Sequence, residues 1–161
     1  RAAVRTPMLW SDEPGGGFST ADPSRFPAQL PEGEYGPLAV NAASQRRDPD
    51  SLLNWFERLI RRRKELPTIG FGEWCVVPTE PRSVLAHRCD WDGSTVVAVH
   101  NFSPEPCRFD VELEGCDDIV GLDDLLGRDH RQLDMPRFEV TLDGYGYRWF
   151  LVRRAGQRLT P

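Results

Sequence analysis

Hydrophobic and polar positions follow three successive patterns along the chain. Residues 1–48 are rich in Pro and Gly and show neither a helical nor a strand period, which predicts a long loop. Apolar residues then recur at helical spacing up to the dipeptide Leu66-Pro67. Because Asp is a favoured N-cap and Pro suits the first helical position, we predict a helix over 49–66 that is capped by Asp48 and begins at Pro49.

The predicted helix carries one broad apolar face, formed by Leu52, Leu53, Trp55, Phe56, Leu59 and Ile60. A face of this width needs a packing partner, and neither the loop nor the helix has one in the sequence itself. Cationic residues follow in its last turn, at positions 61–64, where they complement the negative end of the helix dipole.

From Gly70 onward the pattern changes to a period of two, with short runs of Val, Phe and Trp between turn signals. We predict seven strands, over 72–77, 84–90, 95–102, 108–114, 118–121, 138–142 and 147–152. Asp92-Gly93 and Asp143-Gly144 are typical of tight reversals. The fold class that follows is mainly β, an antiparallel β-sandwich preceded by a long loop and one helix, with a short tail at 155–161.

The composition of the chain limits the classes of function that it can have. The chain has 161 residues, 39% of them hydrophobic, which supports one ordinary domain. It contains 25 acidic and 20 basic residues for a net charge of −5, which disfavours a nucleic-acid partner. No apolar run approaches the roughly 18 residues of a membrane span, so no membrane partner is expected.

The four cysteines, at positions 75, 89, 107 and 116, form no C-x-x-C pair and have no His at zinc-finger spacing. We therefore expect no metal site and no cofactor. A domain of this size builds its core without disulfides and the sequence shows no secretory segment, so we expect reduced, mostly buried thiols and a cytoplasmic protein. Because the sequence starts at Arg1, we also expect it to begin inside a longer protein.

No catalytic constellation stands out. The pairs Asp117-Asp118 and Asp123-Asp124 lie in or beside turns, where we expect solvated surface carboxylates. His87 and His100 fall in predicted strands and are expected to be half-buried structural side chains.

Two further features have both a structural and a functional interpretation. Gly15-Gly16-Gly17 lacks the Lys and Ser/Thr of a P-loop, so a loop turn is expected rather than an anion cradle. Trp74 and Trp91 could offer stacking platforms to a sugar, but core packing for Trp74 and turn packing for Trp91 explain them more simply.

Several motifs in order along the chain resemble the α-amylase superfamily, glycoside hydrolase family 13. The usual R-T-P-M-Q-W, with N-x-G-F downstream, is similar to residues 4–19 here, and V-N-V-x-x-Q is similar to residues 40–45. The resemblance continues through 48–55 (DPDSLLNW), 61–64 (RRRK), 97–103 (VAVHNFS) and 144–150 (GYGYRWF). It is closest to the oligo-1,6-glucosidase and trehalose synthase branch and covers residues 4 to about 152.

The resemblance implies a place inside a larger enzyme with a (β/α)8 catalytic barrel. It assigns residues 1–48 to the loop after the eighth barrel strand, 49–66 to the last barrel helix and 67–154 to the C-terminal sandwich. The nucleophilic Asp, the acid/base Glu and the second Asp of the family follow barrel strands that would all precede Arg1. Catalytic residues are therefore expected outside the chain.

The same resemblance places the loop bearing Arg5 near the mouth of the barrel, since barrel active sites are built from loops. Arg5 becomes the one candidate substrate-binding residue, as a contact for the acceptor-side sugar of an α-glucoside such as maltose. Leu9 stands where the family usually has Gln, which removes a hydrogen-bonding side chain.

Two hypotheses follow. The chain is the non-catalytic C-terminal portion of a retaining α-glucoside-processing enzyme, either trehalose synthase-like or an α-glucosidase, with the upstream barrel as its partner. Alternatively, it is a free-standing β-sandwich module that binds carbohydrate or protein.

Overall fold

The computed structural model describes residues 5–156. The chain divides into two compact units, one ending at Ile60 and the other beginning at Arg61, so the division falls inside a helix rather than at either end of it. Residues 1–4 of the predicted loop and 157–161 of the predicted tail lie outside the described residues.

The first unit is mainly loop, as predicted, with short 3-10 turns at Pro14–Gly17, Pro23–Arg25 and Gly33–Tyr35. It also contains a helix that the sequence pattern did not predict, α1 at Ala42–Arg47. Asn41 caps this helix, because its Oδ1 accepts a hydrogen bond from the Ser44 N–H at 2.8 Å. Six residues are too few to show a helical period, which is why the region was predicted as loop.

The second helix, α2, runs over Leu52–Glu65 and ends where Leu66-Pro67 predicted. Its predicted start is wrong. Asp48 is the C-cap of α1, and its Oδ1 accepts from the Asp50 N–H at 2.9 Å in a local turn. The hydroxyl of Ser51 instead accepts from the Asn54 N–H at 3.3 Å, so Ser51 is the residue that caps α2. A one-turn helix, α3 at Pro67–Phe71, follows.

Up to residue 156, eight strands follow in the second unit: β1 Glu73–Val77, β2 Val84–Trp91, β3 Ser94–Asn101, β4 Cys107–Glu112, β5 Ile119–Asp124, β6 His130–Gln132, β7 Arg137–Leu142 and β8 Tyr147–Arg154. They make a six-stranded sheet in the order β1-β2-β3-β8-β5-β6 and a two-stranded sheet of β4 and β7. Every pairing is antiparallel. The predicted sandwich is confirmed, and β6 is the strand that the prediction missed.

The inner faces of the two sheets share one core. Phe109, Val111, Phe138 and Val140 come from the two-stranded sheet and meet residues such as Phe150 from the six-stranded sheet. Phe138 and Phe150 pack edge to face, with ring centroids 5.7 Å apart. Phe150 is buried, with 6% of the residue exposed.

Candidate functional site

The candidate substrate-binding residue, Arg5, is exposed at the start of the described loop. The segment that follows it is held in place through its backbone. The carbonyl of Leu9 accepts a hydrogen bond from the Ala42 N–H at 2.9 Å, and that of Trp10 accepts from the Ala43 N–H at 3.0 Å. The segment after Arg5 is therefore tied to the first turn of α1, which joins two of the motifs that carry the resemblance.

The three glycines form the turn predicted for them. The Gly16 carbonyl accepts from the N–H groups of Trp10 at 2.7 Å and Ser11 at 3.1 Å, closing the loop on itself. Gly15, Gly16 and Gly17 all have φ between 64° and 73°, a backbone conformation that residues other than Gly rarely adopt. The Gly16 N–H donates to the Glu13 carbonyl at 2.8 Å, so this donor forms a hydrogen bond within the turn itself.

Asn41 and Asn54, both within motifs of the resemblance, hold the helical part of this unit together. Asn41 is buried and also donates from Nδ2 to the Pro37 carbonyl at 2.8 Å. Asn54 Nδ2 donates to the carbonyls of Gln45 at 2.9 Å and Asp48 at 2.6 Å. Gln45 Oε1 accepts from the Leu53 N–H at 3.0 Å. These amides fix the connection between α1 and α2.

A mainly apolar groove of about 570 Å³ lies within this first unit. Its walls include Met8, Leu9, Val40, Leu52, Leu53 and Phe56. Leu52 is 64% exposed and Phe56 47% exposed, so the apolar face predicted for the helix is present and open. Because Leu9 stands where the family usually has Gln, the groove has a methyl-bearing side chain at that point.

A second set of motif residues meets in the sandwich. Asn101 is buried, and its Nδ2 donates to the carbonyls of Glu105 at 2.7 Å and Asp143 at 3.0 Å. The Tyr145 N–H donates to the Ser103 carbonyl at 2.8 Å. The turn between β7 and β8 is thereby fixed to the end of β3, which gives these motifs a structural role.

The acidic pair Asp123-Asp124 is not solvated surface, so that prediction is wrong. The side chain of Asp124 is only 6% exposed, and its Oδ1 accepts from the N–H groups of Leu126 and Gly127 at 3.0 and 2.9 Å. Asp123 Oδ1 lies 2.9 Å from His130 Nδ1, and the Asp123 carboxylate forms an ion pair with Arg153 at 3.0 Å. Both carboxylates stabilise the end of β5, where unpaired backbone donors need acceptors.

Asp117 and Asp118 are exposed, as predicted. His87 and His100 are half-buried in β2 and β3, also as predicted, with their ring planes parallel and centroids 6.0 Å apart. Burial lowers the pKa of both imidazoles, and the neighbouring His87 lowers that of His100 further.

Trp74 is 69% exposed, so the prediction that it packs in the core is wrong. It lies on β1, an edge strand, opposite Cys89 and on the face that points away from the core. Trp91 contacts Phe71 of α3 with ring centroids 5.7 Å apart, which confirms its turn-packing role.

The four cysteines are free thiols, as predicted. Cys89 and Cys116 are buried and Cys107 is partly buried, but Cys75 is exposed, which the prediction of mostly buried thiols did not anticipate. Burial raises the pKa of Cys89 and Cys107.

Between residues 5 and 156, no cluster of three or more His, Cys, Asp or Glu side chains could hold a metal ion. No helix in the same range has the length and apolar character needed to cross a bilayer.

Known proteins match most of the chain. A family model described as sucrose hydrolase-like, C-terminal domain, matches residues 93–151. Trehalose synthase/amylase TreS of Mycobacterium tuberculosis is 33% identical over 93% of the chain, and trehalose synthase of Thermus thermophilus is 32% identical over 95% of it. The chain spans only 26% and 16% of the lengths of these relatives.

Among solved structures, the trehalulose synthase MutB of Pseudomonas mesoacidophila superimposes with a TM-score of 0.73 at 25% identity, over 92% of this chain and 25% of that one. The matches therefore include the loop and helices as well as the sandwich. The chain is thus similar to trehalose synthases over nearly its whole length and to oligo-1,6-glucosidase over 69% of it, which supports the expected C-terminal domain of glycoside hydrolase family 13.

Proposed function

We propose that this chain is the structural, non-catalytic C-terminal part of a retaining α-glucoside-processing enzyme that isomerises maltose or transfers or hydrolyses glucose from it. One observation carries the proposal: trehalose synthases match 93–95% of the chain, an extent that takes in most of the loop as well as the helices and the sandwich. A free-standing sandwich module would not need the loop or α2, so this extent of matching favours the larger enzyme.

The chemistry of the described residues supports a non-catalytic role. A retaining glycosidase needs two carboxyl groups about 5–5.5 Å apart, one as nucleophile and one as acid/base. The most enclosed adjacent acids here, Asp123 and Asp124, are bound by His130, Arg153, Arg148 and backbone N–H groups. We place the catalytic carboxylates in the part of the parent protein that lies outside this chain.

The test compares the 161-residue chain with the full-length parent, using maltose as substrate and analysing glucose and trehalose. We expect turnover by the parent and none by the chain alone, because the covalent mechanism needs a nucleophile that the chain does not supply. Turnover by the chain, lost when one of its own acids is changed to the amide, would contradict the proposal.

Within the parent, we assign Arg5 to contacts with the acceptor-side sugar. Its guanidinium is exposed beside a segment that the backbone of α1 holds in place, and guanidinium groups donate several fixed hydrogen bonds to oxygen acceptors. We expect Arg5→Ala to lower kcat/KM, or the ratio of transfer to hydrolysis, by about tenfold with an unchanged melting temperature.

Arg25→Ala is the matched control, since Arg25 is another exposed arginine of the same loop. It should leave the kinetics unchanged. A variant Arg5→Ala that melts early and keeps normal kinetics would show a structural role for the residue and remove it from the binding site.

A further inference from the structure

The six-stranded sheet has an outer face, opposite the core, whose residues can be read from the strand register. Val97 and Val99 of β3 point into the core, so their neighbours along the strand point outward. Ala98 pairs with His87 of β2 and Trp149 of β8. His100 pairs with Leu85 and Tyr147, which brings side chains from three strands onto one surface.

Four rings lie together on this surface, with His100 in contact with the other three. His100 lies between His87, at 6.0 Å between ring centroids, and Tyr147, at 6.2 Å. Phe102, directly after β3, is the third neighbour, at 6.4 Å from His100. The interplanar angles are 4°, 23° and 20° respectively, so each ring lies within 23° of the plane of His100. Together with Val76 and Leu85, these rings make a surface that we call the aromatic face, composed of Val76, Leu85, His87, His100, Phe102 and Tyr147.

The aromatic face is open and contains no Asp, Glu, Lys or Arg. Phe102 is 66% exposed, Val76 56%, Leu85 39% and Tyr147 37%. An antiparallel sheet that borders water normally presents polar side chains on that side. Contiguous exposed apolar surface of this kind is typical of an interaction site.

The adjoining part of the same outer face is already covered. The helix α3 packs against β2 and β3, and its Phe71 contacts Trp91 at the hairpin end of the sheet. Cys89 and Val96, which also point outward, are 6% and 1% exposed. Part of the outer face is thus buried within the sandwich unit, whereas the aromatic face is open, as is Trp74 on β1.

We propose that the aromatic face is the docking surface for the part of the parent protein that lies outside this chain. The family model that matches the sandwich describes a C-terminal domain, and the chain accounts for only 26% of the length of its mycobacterial relative. A much larger polypeptide, joined to this one, is therefore the occupant. The inference rests on the proposed function and specifies which face of the sandwich it uses.

The chemistry of the face fits a permanent, covalently connected partner. Permanent interfaces resemble a domain core and are more apolar than transient ones. Neutral imidazoles, a phenol and aliphatic side chains bury well against an apolar surface but give little electrostatic attraction to a partner free in solution. Covalent linkage raises the local concentration of the partner, so attraction over distance is not required.

The experiment measures the accessibility of single thiols in the full-length parent. Leu85→Cys places a thiol on the aromatic face. Thr141→Cys is the control, an exposed position on the outer face of the two-stranded sheet. Labelling by a maleimide is followed by peptide-resolved mass spectrometry, which separates the new thiols from the exposed Cys75. We expect Leu85→Cys to react about tenfold or more slowly than Thr141→Cys, at every protein concentration.

Labelling of Leu85→Cys at the rate of the control would overturn the proposal. Protection that is lost on dilution would overturn it as well, because a second copy would then be the occupant. Activity on maltose, measured on the same samples, separates the two ideas. An active parent with a freely labelled Leu85→Cys retains the proposed function and loses the docking surface. A parent that is inactive on every α-glucoside but protected from labelling at position 85 would contradict the proposed function and support the docking surface.

A charged substitution gives a second readout. Leu85→Asp should lower the melting temperature of the parent by several degrees, since docking would bury an unpaired carboxylate. Thr141→Asp should leave it unchanged. Equal melting temperatures for the two variants and the unmodified parent would contradict docking on the aromatic face.

Discussion

On the two-stranded sheet, the outward positions of β4 and β7 carry charge. Arg137 pairs with Asp110 at 2.6 Å and Arg108 with Glu139 at 2.5 Å, each across the two strands. On the six-stranded sheet, the outward positions at the aromatic face carry rings and aliphatic groups. The two sheets thus have matching inner faces and contrasting outer faces. The contrast shows how one core can serve a domain that faces water on one side and, as we propose, a protein surface on the other.

The same difference is visible in the burial of single strands. Along β4 and β7 buried and exposed residues alternate, as in a strand with one face in water. Along β3, five consecutive residues from Thr95 to Val99 are buried. A continuous buried run is typical of a strand covered on both faces.

The largest expected effect tests the shared core. Phe138→Ala on the two-stranded sheet and Phe150→Ala on the six-stranded sheet should each reduce the free energy of unfolding by about 3–5 kcal/mol, since both rings are buried against each other. Chemical denaturation of the chain measures both. The control is Phe102→Ala on the aromatic face, where the ring is already 66% exposed and its loss should change stability far less.

If Phe138→Ala proved much milder than Phe150→Ala, the two inner faces would not be equivalent. The six-stranded sheet would then be the principal sheet, and the two-stranded sheet would be attached to it more loosely.

The sequence pattern predicted this inner core well and the outer faces poorly. Alternation identified β4 and β7 because Phe109 and Val111, like Phe138 and Val140, follow a strict period of two. The missed strand β6 has no apolar residue: His130–Gln132 is wholly exposed and is held by backbone pairing to β5. Trp74 was misplaced because alternation shows which residues share a face, but not which face the rest of the protein covers.

The candidate site was only partly predictable for a related reason. The motifs around Trp10 and Asn41 could be recognised separately, but nothing in their spacing shows that the backbone of one binds that of the other. Asp123 and Asp124 were misread because their partners, such as His130 and Arg148, lie 7 and 24 positions away and are joined to them only by the folded sheet. The role of Arg5 stays a prediction.

A smaller effect concerns the pH dependence of the aromatic face. The pKa values of His87 and His100 lie below the ordinary value of 6.5 through burial, and for His100 also through the charge of His87. The side chains that face these imidazoles across the strands are Val76 and Ala98 for His87 and Leu85 and Tyr147 for His100, and none of them is a carboxylate.

The unfolded chain therefore binds more protons than the folded chain below about pH 6.5. The stability that these neutral imidazoles contribute is fully present above that pH and is lost as the pH falls through their lower folded-state pKa values. We expect the melting temperature to fall as the pH drops below about 6.5 and to fall less in the double variant His87→Gln, His100→Gln. Identical pH profiles for the two proteins would show that the pair does not titrate in this range.

The smallest effect is expected on the outer face of the two-stranded sheet. Arg108 and Glu139 are both substantially exposed, with 70% and 46% of their side chains accessible. Exposed ion pairs contribute little, because water and salt screen the attraction and ordering two long side chains costs entropy. A double-mutant cycle of Arg108→Ala and Glu139→Ala should therefore show no measurable coupling in melting temperature, and about 0.5 M NaCl should not alter that result. Strong, salt-sensitive coupling would mean that this face is held more tightly than a solvated surface requires, which would remove the contrast with the aromatic face.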